Sequence, residues 1–196
     1  MKSFNEFLAE AKDKKTVVAA FGRFNPPSIG HAKLFDAMEG VADKENAGTI
    51  QVYGSHSQDP KKNPLDFKTK MGYLEFYTNS PATKIMKKSN VNNPFALAEE
   101  LAKDGYKHII LVAGSDRIAE YQRAEKYALA NGAESFKVVS AGERDPDADG
   151  AEGMSASKLR KAAADGDFTS FSIGAGMSKD LAKDLYDDVR KGMGIK

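Results

Sequence analysis

The chain of 196 residues has no cysteine, no tryptophan and only three histidines. Without cysteine there is no disulfide, no thiolate nucleophile and no Cys-ligated zinc or iron, and so few histidines make a poor metal cluster. No apolar run reaches the ~18 residues that a membrane-crossing helix needs. An excess of one charge is also missing: 29 Lys plus Arg face 28 Asp plus Glu, leaving +1. That balance argues against duplex nucleic acid as the main partner, while local phosphate sites stay open. There are no internal repeats and no low-complexity segments. What is present, 41% hydrophobic and 29% charged residues, is an ordinary globular composition. The reducing cytoplasm is the expected compartment.

Residues 1–12 place Phe4, Phe7, Leu8 and Ala11 at helical spacing behind Ser3, with Glu6 completing a capping box, so a short amphipathic helix is expected there. It lacks the continuous apolar segment of a signal peptide. Residues 16–24, TVVAAFGRF, read as a buried parallel strand. The pattern then alternates: a helix over 31–44, a strand over 48–55, a helix over 63–78 with Pro64 in its first turn, and a weak strand or loop over 82–89. A helix over 93–105 starts at Asn93-Pro94 and stops at Gly105, and a strand covers 108–114. One helix capped by Ser115 or Asp116 is expected over 115–132, a strand over 136–142, a turn-rich loop over 143–153, and helices over 155–166 and 178–192.

This alternation predicts an α/β fold, a Rossmann-like three-layer α/β/α arrangement with a parallel sheet of about five strands plus the short amino-terminal helix. The expected domain runs over 16–165, with residues 166–196 as a helical extension packed on it. In such sheets ligands bind at the carboxyl ends of the strands. The functional loops should therefore follow Phe24, Gly54, Gly114 and Gly142.

Two stretches could carry phosphate chemistry. The first, Gly22-Arg23-Phe24-Asn25-Pro26-Pro27-Ser28-Ile29-Gly30-His31, runs from a strand into a helix start. Helix starts present unpaired N–H groups and a partial positive charge, Gly30 permits close approach of a phosphate, and His31 adds a donor. No P-loop sequence occurs anywhere in the chain. A strand-to-helix turn that needs Pro and Gly for its geometry accounts for the same residues. The second stretch is Gly153-Met154-Ser155-Ala156-Ser157-Lys158-Leu159-Arg160. Ser157 and Arg160 share a helix face, and hydroxyls beside a guanidinium suit a pyrophosphate. Either serine could equally be the helix cap.

Taken together and in this order, the two stretches resemble the nucleotidylyltransferase superfamily, which has an [HT]-x-G-H motif after its first strand and I-S-S-T-x-I-R near its end. G-R-F-N-P-P-S-I-G-H is most similar to the G-R-F-x-P-x-H-x-G-H form of archaeal-type nicotinamide mononucleotide adenylyltransferases. V-A-G-S-D-R, residues 112–117, is similar to the family's G-x-D segment. Ser28 departs from the family's His or Thr, and Ala156 from its second Ser. The resemblance covers roughly residues 16–165.

The resemblance implies adenylyl transfer from ATP, with Mg²⁺, to a small phosphate-bearing acceptor such as nicotinamide mononucleotide. Cytidylyl transfer to a phosphorylated alcohol, or a nucleotide-binding virion component without turnover, are the other readings. It implies catalytic roles for His31, Ser155, Ser157 and Arg160. It implies nucleotide or phosphate contacts for Gly22, Arg23, Phe24, Asn25, Ser28, Gly30, Lys62, Gly114, Asp116, Met154 and Lys158. No metal ligand is assigned, and relatives often form homo-oligomers. Lys61 and Lys68 are further candidates beside Lys62, and His56 is a candidate substrate contact with a structural role as the alternative. His108 is expected to be structural, and Asp145, Asp147 and Asp149 to form a solvent-facing loop. The start, Met-Lys-Ser-Phe-Asn-Glu-Phe-Leu, also resembles the leaders of internal head proteins of large tailed bacteriophages, which are cut after tripeptides such as Leu8-Ala9-Glu10. That implies a phage protein acting in bacterial cytoplasm and packaged in the head.

Overall fold

The computed structural model describes residues 12–78, 80–142 and 155–195. The apolar run after Lys12 forms β1 (Asp13–Gly22), followed by α1 (Ile29–Lys44) and β2 (Ala47–Gly54). Next come α2 (Phe67–Glu75), β3 (Thr83–Met86), α3 (Pro94–Lys103) and β4 (His108–Ala113). A 3₁₀ turn (Ser115–Arg117), α4 (Ile118–Gln122) and α5 (Glu125–Ala130) lead into β5 (Ser135–Ser140). Three helices follow: α6 (Ala156–Asp165), α7 (Phe168–Ala175) and α8 (Lys179–Gly192).

The five strands form one sheet in the order β3-β2-β1-β4-β5, with every pair parallel. Successive residues of β1 are buried on alternate faces, which is why its sequence is apolar without a polar alternation. Val17 and Ala19 pack with Leu97, Leu101, Tyr121 and Ala128 on one face. Val18 and Ala20 pack with Phe35, Met38, Met71 and Leu74 on the other. The chain builds outward from β1 through β2 to β3 and then crosses back to β4, so strand order reverses between β1 and β4. In open parallel sheets the ligand crevice lies at that reversal, beyond the carboxyl ends.

A third core joins the last three helices, with Leu159, Phe171, Leu185 and Val189 closing around Leu65 from the segment before α2. The contact is close. A Cβ on Gly192 would stand 2.1 Å from the Pro64 carbonyl oxygen, so α8 rests directly on that loop. Tyr73 of α2 donates to Asp188 of α8 at 2.8 Å, and Tyr77 donates to the Ala175 carbonyl at 2.5 Å.

Three expectations change. The helix expected over 63–78 begins at Phe67, because Asp66 accepts from the Thr69 N–H at 2.9 Å and caps it; Pro64 stays in the preceding loop. The single helix expected over 115–132 is broken, and neither Ser115 nor Asp116 caps it; Gly114 occupies the cap position. At the break, the N–H groups of Arg123 and Ala124 bond three residues back to Glu120 and Tyr121. This tightening lets both Tyr121 and Ala124 face the core. Within the helical extension expected over 166–196, α7 is a separate helix that no periodicity marks. Its sequence FTSFSIGA is poor in helix formers, and it is held by the Asp167 cap and the burial of Phe171 and Ala175. The amino-terminal helix expected over 1–12 falls, apart from Lys12, outside the described residues, as do Met154 and the acidic loop of Asp145, Asp147 and Asp149. Among the described residues no helix is long and apolar enough to cross a membrane.

Candidate active site

The loop after β1 is shaped by its own buried side chains. A Cβ on Gly22 would lie 2.6 Å from the Phe24 ring, so glycine is what lets that ring fold back against the strand end. Phe24 takes φ 47, in the left-handed region, and its ring meets His31 edge-on with centroids 4.9 Å apart. Asn25 binds the chain reciprocally, its Nδ2 donating to the Leu65 carbonyl at 2.8 Å and its Oδ1 accepting from the Leu65 N–H at 3.0 Å. The Asn25–Pro26 peptide is cis.

Ser28 is the cap residue of α1, and its backbone N–H donates to His31 Nδ1 at 3.0 Å. A main-chain N–H can only donate, so Nδ1 is the acceptor and the neutral imidazole carries its proton on Nε2. The Ser28 hydroxyl lies 3.1 Å from the same Nδ1. Ser28 thus orients His31 from its backbone N–H and its hydroxyl. Phe24, Asn25 and Ser28 are 2%, 1% and 1% exposed. The amide, ring and hydroxyl hold the loop, which leaves their backbone as what could meet a ligand. Arg23 is exposed and Ile29 and Gly30 of the first turn of α1 are half-buried, while His31 is buried.

Helix α6 supplies the other half. Ser155 caps it, accepting from the Lys158 N–H at 3.2 Å. One turn on, Arg160 spreads its guanidinium between two partners: Nη2 donates to Ser157 Oγ at 3.0 Å, and Nη1 to the carbonyl of Asn25 at 2.6 Å, 135 residues away. The two motif-bearing stretches are therefore in direct contact. Each serine oxygen accepts one of these bonds, and each hydroxyl keeps an O–H to donate. Burial, and next the charge of Arg23, holds the Arg160 pKa below the usual guanidinium range, with Asp59 opposing. Asp59 is itself tied into its own turn by the N–H groups of Lys61 and Lys62 and by the Asn63 amide.

The remaining candidates divide. Lys62 and Lys158 are exposed beside the cluster, their N–H groups bonded to Asp59 and Ser155. Gly114 and Asp116 lie at the carboxyl end of β4, next to β1, where Asp116 is exposed and 3.4 Å from Arg117. Among the described residues no hydrogen bond joins Asp116 to the His31–Arg160 cluster. His56 stacks on Phe67 at 3.9 Å and its Nε2 lies 3.2 Å from the Lys88 carbonyl, a structural placement. His108 is at the amino end of β4, 2.9 Å from Ser135 Oγ. It lines a cavity of about 450 Å³ with Thr16, Glu45 and Lys137 at the amino ends of the strands, the opposite end of the sheet from the motifs.

Sequence reading missed Lys70. This fully buried lysine of α2 donates from Nζ to the Arg23 carbonyl at 2.9 Å and to Ser55 Oγ at 3.3 Å. Burial lowers its pKa to about 8, against a smaller opposing effect of Asp66. The available signal was its place on the stripe of Phe67, Met71 and Leu74, where a lysine interrupts an apolar face.

A five-stranded parallel sheet flanked by helices, with strand order reversing between β1 and β4, defines a Rossmann-like α/β fold. Solved structures agree on the fold. The chain is 16% identical to a Vibrio parahaemolyticus structure assigned as a nicotinate-nucleotide adenylyltransferase, at TM-score 0.55, covering 87% of this chain and 98% of that one. It is 15% identical, at TM-score 0.55, to a bifunctional nicotinamide mononucleotide adenylyltransferase/ADP-ribose pyrophosphatase of Francisella tularensis complexed with AMP and a manganese ion, covering 91% and 52%. It is 14% identical, at TM-score 0.53, to the nicotinic acid mononucleotide adenylyltransferase of Plasmodium falciparum complexed with NaAD, covering 91% and 96%. No protein-family model and no curated protein matches the chain.

Proposed function

We propose that the chain is a nucleotidylyltransferase that moves an adenylyl group from ATP to a small phosphate-bearing acceptor of the nicotinamide mononucleotide type, releasing pyrophosphate. The observation that carries this reading is the bond from Arg160 to the Asn25 carbonyl. It joins the two motif-bearing stretches near the reversal of strand order, and on this reading Arg23, His31, Ser155, Ser157 and Arg160 hold a triphosphate from two sides. The adenylyltransferase fold neighbours support the same direction.

The chemistry needs little from side chains. An acceptor phosphate oxygen, already anionic at neutral pH, forms a bond to the α-phosphorus of ATP. The bond from that phosphorus to the bridging oxygen breaks, and pyrophosphate leaves with the electron pair. No base is required. His31 Nε2–H, the serine hydroxyls and the Arg160 guanidinium are donors for charge that builds on the α-phosphate and the leaving group. The first-turn N–H groups of α1 and Gly30 add the field of a helix start. Among the described residues no group of three His, Asp or Glu could hold a metal ion. Mg²⁺ is read as arriving on ATP, as part of the substrate. Gly114 and Asp116 are read as contacts to the nucleoside, and Lys62, Lys158 and Met154, the last outside the described residues, as contacts to the phosphates. The catalytic unit is taken as residues 16–165, with 166–196 packed on it.

Incubating the protein with ATP or CTP, Mg²⁺ and a panel of phosphate acceptors, and measuring pyrophosphate, tests the reading. Release that requires ATP and an acceptor, and falls about 10²- to 10³-fold in His31→Ala, is expected. Release with CTP and a phosphorylated alcohol instead would make the enzyme a cytidylyltransferase. ATP binding without release for any acceptor, unchanged in His31→Ala, would make it a binding protein. The packaged phage protein implied by the first residues is tested by mass spectrometry of virions, where a terminus at Ala11 is expected.

A further inference from the structure

The mechanism above gives Lys70 no task, yet the residue is unusual. Its side chain is wholly buried, and among the described residues no carboxylate lies within ion-pair distance of it. An ammonium removed from water without an opposite charge is strongly disfavoured, so an apolar residue would serve the core better. Its two partners are a main-chain carbonyl and a hydroxyl, at Arg23 and Ser55. Both lie just beyond the carboxyl ends of β1 and β2, where the ligand is read to bind.

The charges around it lean one way. Arg23 lies in the loop after β1, exposed and close enough to Arg160 for the two to repel. On its own element are Asp66, committed to capping α2 through the Thr69 N–H and hydroxyl, and Lys68. In the loop after β2 stand His56, stacked on Phe67, and Asp59, bound into its own turn. Lys70, Arg23 and Arg160 thus meet Asp59 and Asp66, carboxylates that already have partners within their own segments.

We propose that Lys70 is a positioning residue of the phosphate site, fixing the Arg23 peptide and the Ser55 hydroxyl from inside the fold, and that a bound polyphosphate supplies the counter-charge its ammonium lacks. The proposal rests on reading the crevice as a triphosphate site. It has a consequence that a purely structural lysine lacks. Burial leaves the ammonium titrating at about 8 in the empty protein, and a polyanion nearby favours the charged form. Binding must then draw in a proton wherever Lys70 is partly neutral, and affinity must fall as pH rises past 8.

The test is calorimetric titration of ATP into the full chain at pH 8.5, in two buffers of different ionisation enthalpy. Phosphate groups that ionise near pH ~6 are silent there. The wild type should take up about half to one proton per ATP and lose about tenfold in affinity between pH 7 and 9.5. Lys70→Arg, always charged, should bind with no uptake and a flat profile, and Lys70→Met should bind more weakly at pH 7, also flat. ATP binding by the wild type without proton uptake would overturn the proposal and leave the triphosphate reading intact. No ATP binding at any pH would overturn both. Should the Met variant not fold, the wild-type uptake alone decides.

Discussion

Replacing Lys70 by Met should change how stability depends on pH, by an amount that follows from burial without any ligand. Folding lowers this lysine from 10.5 to about 8, so its charged form is disfavoured in the native state. Below pH 8 the ammonium is charged in both states, and the folded protein carries the whole penalty. Between pH 8 and 10.5 the folded protein gives up the proton while the unfolded chain keeps it, so stability rises with pH. Above 10.5 both forms are neutral and the penalty is gone. At about 1.36 kcal/mol for each pH unit, the whole change amounts to about 3 kcal/mol. Lys70→Met also strands the Arg23 carbonyl and the Ser55 hydroxyl, at about 1–3 kcal/mol each, but that loss does not vary with pH. Phenols such as Tyr73 and Tyr77, held upward mainly by burial, are common to both proteins and cancel in the difference. Urea unfolding of both proteins at pH 7 and 10.5 measures it. The wild type should gain about 3 kcal/mol on the variant over that range. A difference that stays constant would show that Lys70 is hydrated or paired, and the argument from burial would fail.

Arg160→Met should lower pyrophosphate release about 10²- to 10³-fold, because it removes a donor to the developing charge. It should cost only about 1–3 kcal/mol of stability, since the lost bond to Asn25 is partly offset by relief from Arg23. Arg160→Lys should recover little, since an ammonium cannot span Asn25 and Ser157 together. Asn25→Ala should cost about 2–4 kcal/mol in urea unfolding, because it leaves the Leu65 N–H and carbonyl without their partners. Gly192→Ala should lower the thermal midpoint and the activity together, since its Cβ meets the Pro64 carbonyl oxygen at 2.1 Å and must push α8 or the loop aside.

The sheet was legible because its central strands announce themselves. TVVAAFGRF and HIILVAG are continuous apolar runs, and Asn93-Pro94 marks a helix start that the structure keeps, with Asn93 accepting from Phe95 and Ala96. Helix α7 was not legible, since Phe171 and Ala175 are buried by contact with other helices and not by any strong periodic signal. At the site, the pairing of the His31 loop with Arg160 was legible from motif order. The division of labour within the loop was not. For Phe24, Asn25 and Ser28 the sequence carries no sign of the bonds to Leu65 and to His31 Nδ1 by which their side chains hold the loop. Lys70 escaped for a similar reason: a lysine on an amphipathic helix reads as solvated until the sheet covers it.

The seating of α8 on Pro64 puts the last helix in series with the proposed phosphate site. Gly192 presses on Pro64, Leu65 grips the Asn25 amide, and the Asn25 carbonyl receives Arg160. Anything that pries that helix loose, a bulky carboxy-terminal tag or a binding partner gripping its outer surface, would be felt at the crevice as slack without touching it. Turnover could then be throttled from the far end of the polypeptide, and amide exchange at Leu65 would report how tightly that strut is braced.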